Sequence, residues 1–541
     1  MGTTGHMPDA GVLYRNLSWL VMGGVALLVV LTYRDYGIVW DEEWQNVYGV
    51  KLLAYYLTGF QDQSAFTYRD LYLYGGAFDM IAAALNTVSP LGEYETRHLL
   101  GGFLGVAGMI GTWRLARLLA GERAAFIAVV LLALTPGLYG HMFNNPKDAP
   151  FAWGMIWTTY FICRAIHELP RPHVATILGL GTVLGLTLAT RVGAVLALIY
   201  LAVALAIYLG LRARDGLRPG GLVSEGGAIV VRFLPAMILA VGIMAFFWPW
   251  SVHSPLNSIN ALIYFNHVPW TGTVLVDGEK FPGNDLPSFY LPLLLAIKLP
   301  ELVLVGLAAA GASAAIVLKA GSGANWTRAR TLGYVVVILS AAFPILYFVI
   351  LRPLVFNGIR HFLFVVPPLV ILAAIGLDAL WLKLSAWGRA FGPAFGATLA
   401  LAAGIQVWTM AELHPNQYVY FNELVGGVRG AAGKYELDYW GNSLAEASQK
   451  LEEHLTRESG GRPITRTYRA LVCGYPLSAL YFFPPYVKYT TVAAEADFYV
   501  SFTYDNCDRK LDGRLIAEVE RDGVALSVVK DRRSIVAATR R

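Results

Sequence analysis

The chain has 541 residues, 56% of them hydrophobic and only 15% charged, with a formal net charge of +5 and a mean hydropathy of +0.51. A soluble globular protein carries roughly 25% charged residues and no repeated apolar runs of about 20, so this composition excludes a soluble fold and predicts a polytopic helical membrane protein. Three cysteines are too few for a disulfide framework, but Cys473 and Cys507 both lie in the polar C-terminal part and can pair if that part is extracytoplasmic.

The first apolar run, Leu17–Tyr33, is followed by Arg34 and Asp35 and not by a small-residue cleavage site, which reads as an uncleaved anchor. Ten more runs follow, near 97–118, 123–142, 150–168, 173–190, 192–211, 228–249, 289–318, 331–351, 360–382 and 390–410. Each can cross about 30 Å of hydrocarbon. The run at 71–88, "LYLYGGAFDMIAAALNTV", is interrupted by Gly75, Gly76 and Asp79. Placed on the membrane surface, it leaves the basic turns holding Arg114, Arg117 and Arg123, then Arg212, Arg214 and Arg218, then Lys319, Arg328 and Arg330, then Lys383 and Arg389, all on the cytoplasmic side. Placed across the membrane, it turns every one of them outward, against the positive-inside rule. The expectation is an α-helical polytopic protein of about eleven spans in residues 1–411, with surface helices in a first outer loop, 36–96, and a second outer loop at 250–288.

Sparse polar groups then gather on the outer side. "WDEEWQNVYGVKLLAYYL" opens with Asp41, Glu42 and Glu43, after which Trp44, Val47, Tyr48, Leu52 and Tyr55 recur at helical spacing. The acids are either an ordinary helix start, with Asp41 as N-cap, or a reaction centre at the membrane surface. Adjacent acids project about 100° apart on a helix, so Asp41 and Glu42 cannot do the same job. "FNNPKDAPFAW" repeats the design: Asp148 before Ala149-Pro150 is a plausible N-cap, and Lys147 beside it is one of few outer cations. Arg191 marks a tight outer turn; a snorkelling side chain is the bland account, but an edge-of-membrane Arg against the inward bias of charge suits a phosphate. Arg360-His361 fits the same need. His253, His267 and Asp285 in the 250–288 loop lack a metal spacing and read as ordinary polar loop residues.

Residues 412–541 read as a small extracytoplasmic α/β domain. "NSLAEASQKLEEHL" is an amphipathic helix, "YRALVCGYP" and "ADFYVSFTY" are strand-like, and "LIAEVERDGVALSVVK" is a hairpin turning at Asp522-Gly523. The domain either binds acceptor or braces the spans.

The order of these elements resembles the GT-C glycosyltransferases that use lipid-phosphate sugars, especially the bacterial aminoarabinose transferases of lipid A and the protein O-mannosyltransferases. The likeness rests on Asp41-Glu42, "ETRHLLGGFLG", "NNPKDAPF", the Thr-Arg at 190–191, "LPSFYLPLLLAIKLP" and "RHFLFVVPP". It departs at "YRDLYLYGG", where the aminoarabinose enzymes carry Glu-Lys-Pro; Asp70 is a weak substitute there as a metal contact, and Asp285 another weak candidate. The resemblance implies a cytoplasmic-membrane enzyme with a polyprenyl-phosphate sugar donor and an envelope glycan, lipid or protein acceptor. It implies no nucleic-acid partner, and a divalent metal is possible but not required. Asp41 would be the general base, Glu42 would orient acceptor or support the loop, and Asp148 is the alternative catalytic acid. Lys147, Arg191, Arg360 and His361 would hold the carrier phosphate. The rival class is a transporter or flippase, which favours mid-span charges and two-half symmetry; here the charges lie at span ends.

Overall fold

A computed structural model describes residues 10–539 except 266, 267, 269 and 321–326, so His267 lies outside the described residues. The fold class expected from sequence is what forms: a multi-pass helical membrane protein carrying a small C-terminal sheet domain. Seven helices are long and apolar enough to cross a membrane among the described residues, and nine spans result if each of two bent helix pairs counts once. The two remaining predicted spans are the helices Asp148–His167 and Val174–Leu188. The first is mostly buried among other helices and so need not be uniformly apolar. The second has 15 residues, roughly 22 Å, short of a full bilayer. The run at 71–88 contributes a ten-residue helix, Ala77–Asn86, roughly 15 Å long and too short to cross.

The bundle is ordered by small residues where helices touch. Gly75 is a clear case: a Cβ there would lie 2.0 Å from the Ala189 carbonyl oxygen. That close approach, with Ala77 N donating to Ala189 O at 3.0 Å, lays the surface helix against the Thr190-Arg191 turn. Of the bent pairs, Glu122–Ala133 meets Pro136–Asn144 at 65°, and Tyr290–Lys298 meets Glu301–Val317 at 114°. A break of that size frees backbone carbonyls that lipid cannot satisfy. Asn422 closes the account by donating from Nδ2 to Ala296 O (2.7 Å) and Leu299 O (2.8 Å).

Strands β1 (Thr273–Val276) and β2 (Glu279–Pro282) form an antiparallel hairpin in the 250–288 loop. In the C-terminal domain, β3 (Tyr468–Cys473), β4 (Val487–Tyr489), β5 (Phe498–Phe502), β6 (Arg514–Arg521) and β7 (Val524–Asp531) make a mixed sheet in the order β4-β3-β5-β7-β6. The helix Leu444–Glu458 covers it with Leu444, Ala447, Leu451 and Leu455. The β6–β7 turn has Asp522 and Gly523 at φ 51° and 69°, the left-handed pair a two-residue hairpin needs. Cys473 and Cys507 are joined by a disulfide, and Cys163 is free and buried.

Candidate active site

The three consecutive acids go three ways. They open the helix Trp40–Leu57, where about 100° separates neighbours. Asp41 accepts from Arg360 Nη1 at 2.9 Å. Glu42 turns inward, 1% exposed, accepting from Val39 N (3.1 Å) and facing His98 Nε2 (3.0 Å). Glu43 reaches the C-terminal domain, taking a hydrogen bond from the Tyr475 hydroxyl. Asp41 is therefore not the N-cap: Val39 holds that position, and Glu42, three residues on, satisfies its backbone N–H. Glu42 is buried and does not line the open cavity, and its carboxylate is engaged by Val39 N and His98.

Asp148 is likewise not the cap of its helix. Asn145 Oδ1 accepts from Asp148 N (2.8 Å) and Lys147 N (3.3 Å), and its Nδ2 donates to Asp148 Oδ2 (3.2 Å). The Asn-Pro dipeptide at 145–146 is the turn signal that marks this. The carboxylate freed from capping pairs with Arg191, and its other oxygen lies 3.9 Å from Arg360 Nη1. One guanidinium thus stands between Asp41 and Asp148. The Asp41 side chain is 26% exposed and the Asp148 side chain 3%, so only the first is open to a substrate.

Asp41, Asp70, Lys147, Arg191, Arg360 and His361, from five separate stretches of chain, line one cavity of about 530 Å³. Glu42, Asp148 and Asp285 do not line it. Asp285 is largely exposed and lies 3.7 Å from Arg352, on the rim of a loop. Asp70 accepts from the Tyr264 hydroxyl (2.8 Å), and among the described residues no three His, Cys, Asp or Glu side chains come together as a metal site. A lone carboxylate with a phenol is a poor donor set for a divalent cation. His253 packs its ring against Phe66.

Lys147 is buried against a ring and an amide. Its Nζ lies 3.8 Å from the centre of the Tyr74 ring. With the Gln45 amide oriented to satisfy its partners, Gln45 accepts from Lys147 Nζ (2.6 Å) and donates to Asp79 Oδ2 (2.5 Å). Asp79 Oδ1 in turn accepts from Arg97 Nη2 (2.5 Å). Burial, reinforced by Arg191 and opposed by Asp41 and Asp148, brings Lys147 down to about 8. Burial also lifts Asp79 to about 6, against the pull of Arg97.

The sequence reading did not place the C-terminal segment "YELDYWGNS" in this site. Tyr439 and Trp440 line the cavity, and the Arg360 guanidinium sits 4.7 Å from the Trp440 ring. Asp438 anchors the turn by accepting from Gly441 N (2.7 Å), Asn442 N (3.1 Å) and Ser443 N (2.9 Å). Asn442 Oδ1 then accepts from Gly37 N and Asn144 Nδ2, both at 2.8 Å, and its Nδ2 donates to Asn416 Oδ1 (2.6 Å). One buried amide therefore clasps the stretches that carry Asp41 and Lys147-Asp148.

A second, mostly apolar cavity of about 410 Å³ adjoins the first, sharing Tyr74, Arg191, Val268, Phe356 and His361. Its wall continues through Phe151, Leu196, Ile199, Phe343, Tyr347 and Phe364 between the spans. Arg191 stands where the two cavities meet.

Residues 94–252 match the family model described as dolichyl-phosphate-mannose-protein mannosyltransferase. The match bears out the resemblance and the enzyme class drawn from the sequence: glycosyltransferase. Among solved structures, ArnT from Cupriavidus metallidurans in the apo state is similar at 15% identity, with a TM-score of 0.48 over 94% of this chain and 97% of that one. The same protein bound to undecaprenyl phosphate has a TM-score of 0.46. The oligosaccharyltransferase AglB from Archaeoglobus fulgidus, in complex with an inhibitory peptide and a dolichol-phosphate, is 14% identical with a TM-score of 0.46, over 90% of this chain and 69% of that one. The arabinofuranosyltransferase AftD from Mycobacteria is 15% identical with a TM-score of 0.41, over 96% and 40%. No curated protein matches.

Proposed function

We propose that the protein transfers a sugar from a polyprenyl-phosphate donor to an acceptor hydroxyl, at the outer face of the cytoplasmic membrane and with inversion at the anomeric carbon. The observation that carries this is the junction of the two cavities. An apolar channel between spans meets the polar cavity at Arg191 and His361, and that cavity also holds Lys147, Arg360 and one partly exposed carboxylate, Asp41. A lipid phosphate has the matching form, an apolar tail and an anionic head, and the matched family is described by such a donor.

In this reading the cations bind the phosphate and stabilise the charge that grows on it as the glycosidic bond breaks. Asp41, held by Arg360 at 2.9 Å, takes the proton of the acceptor hydroxyl. The acceptor oxygen forms the new bond to the anomeric carbon, and the polyprenyl phosphate leaves with the electron pair of the old one. Asp148 keeps Arg191 and Arg360 in place from behind. Residues 412–541 lie on the same outer side, and the active-site unit is residues 1–411 completed by the 438–442 turn.

The test is carrier binding. Native mass spectrometry of the protein in lipid nanodiscs should show retained undecaprenyl phosphate. Arg191→Ala should weaken it by roughly 1.5–3 kcal/mol, the loss of one charge-assisted bond. Equal retention by Arg191→Ala would remove that residue from the carrier site.

A further inference from the structure

A third cleft, of about 350 Å³, also borders Tyr504 and lies between the β1–β2 hairpin, the 432–438 segment and the C-terminal domain. It is continuous with the catalytic cavity along three strands of chain. Gly272 lines the cavity and Thr273 the cleft; Tyr439 lines the cavity and Asp438 the cleft; Tyr504 lines both. Asn357 ties the two together, donating to Glu436 Oε1 (2.7 Å) on the cleft side and to the Tyr504 hydroxyl (3.1 Å).

We infer that this cleft seats the hydroxylated rings of a glycan acceptor and presents one of its hydroxyls past Tyr504 to Asp41, an inference that rests on the transferase reading above. The lining is what favours a glycan. Carboxylate, amide, ammonium and guanidinium groups (Asp505, Asn506, Asp508, Lys280, Arg509) stand around two phenol rings, Tyr435 and Tyr504. Such groups meet the neighbouring hydroxyls of a sugar, and aromatic faces meet its C–H faces. A lipid acceptor would need an apolar wall like that of the donor channel. An extended peptide would need a free strand edge. On the side facing the cleft, β1 and the hairpin turn are already engaged, because Leu275 N donates to Glu436 Oε1 (3.4 Å) and Gly278 N to Lys434 O (3.0 Å).

The rim is built to hold its shape. Asp505 and Asn506 occupy the left-handed region in succession, at φ 51° and 55°, which Asp and Asn tolerate better than other side chains, and their surroundings fix it. The surroundings here are the Cys473–Cys507 disulfide, the Tyr499 hydroxyl donating to Cys507 O (2.6 Å), and Lys280 Nζ at 3.0 Å from Asp505. At the floor, burial raises Glu436 to about 7, so near neutrality its carboxyl both donates to and accepts from hydroxyls.

The experiment puts the full-length protein in nanodiscs on an array of neutral, amino-sugar and uronic-acid oligosaccharides beside Ser/Thr-rich peptides, with undecaprenyl phosphate retention read in parallel. The wild type should bind a subset of glycans. Asp508→Ala and Arg509→Ala should each weaken that binding at least tenfold with carrier retention unchanged. Glycan binding that both variants leave intact overturns the inference. So does capture of peptides that is lost in these variants, or no glycan binding in a protein that retains the carrier. Absence of carrier retention from the wild type overturns the transferase reading and this inference with it.

Discussion

The two ends of the helical bundle use the same charged residues in opposite ways. At the end away from the site, ion pairs are one-to-one and partly exposed: Arg117 with Glu122 (2.8 Å), Arg123 with Asp378, Arg164 with Glu168 (3.0 Å), Arg212 with Glu225 (3.1 Å), Arg328 with Asp215. Each cation there has its own acid, and water screens both. At the site end, Arg360 serves two acids and Asp148 two cations, and Arg360, Lys147 and Asp148 are all buried. Shared charges in a dry place respond to an arriving anion; private pairs in water do not. The difference is one of wiring and burial, not of residue type.

Three experiments break or sharpen that contrast. The largest effect belongs to Asp41→Asn. Asn suits the second position of a helix and still accepts from Arg360, so unfolding temperature and carrier retention should stay near wild type while kcat falls by about 10²–10⁴-fold. If the Asn variant turns over normally, Asp148 becomes the base and the contrast loses its centre.

The pH dependence of carrier affinity comes next. Lys147 is charged below about 8 and neutral above it, so binding that needs this cation is complete on the acid side and lost as pH rises through 8. Affinity for undecaprenyl phosphate should fall by up to about tenfold per pH unit there, and Lys147→Arg, whose guanidinium stays charged, should remove the alkaline limb. A wild-type profile flat from pH 7 to 10 would take Lys147 out of the carrier site.

The smallest effect is predicted at the opposite end. Arg164→Ala breaks an exposed pair four residues apart and should cost about 0.3–0.5 kcal/mol in thermal unfolding, with turnover unchanged. A loss of activity comparable to that of a site-end variant would erase the distinction between the ends.

Much of the fold is legible in the sequence because lipid asks a simple question of each segment, and eleven apolar runs with basic turns on one side answer it. The short helix Val174–Leu188 falls below a length criterion because its run continues through Ala189-Thr190, where the backbone has already turned toward Arg191. The candidate site is legible as a set of out-of-place charges at span ends. Its wiring is not: Arg360 and Asp41 meet across 319 residues, and no local pattern announces that. The cap positions are not legible for a local reason. An acid at the start of a helix occupies the cap or the first turn with equal chemical sense, and the choice is made by neighbours, Val39 in one case and Asn145 in the other. Tyr439 and Trp440 carry no charge to betray them, and only the fold brings them to Arg360.

The clasp made by Asn442 bears on how the protein is made. A chain is synthesised from its N-terminus, so every charged group of the cavity enters the membrane before the residue that pins their stretches together has left the ribosome. Until the turn at 438–442 has crossed to the same side and docked, Gly37 and Asn144 lack their shared partner and the Trp440 wall is missing. A nascent or truncated chain therefore holds its acids and cations in an unfinished arrangement, and donor lipid already in the bilayer meets a competent site only after the last quarter of the protein has been delivered.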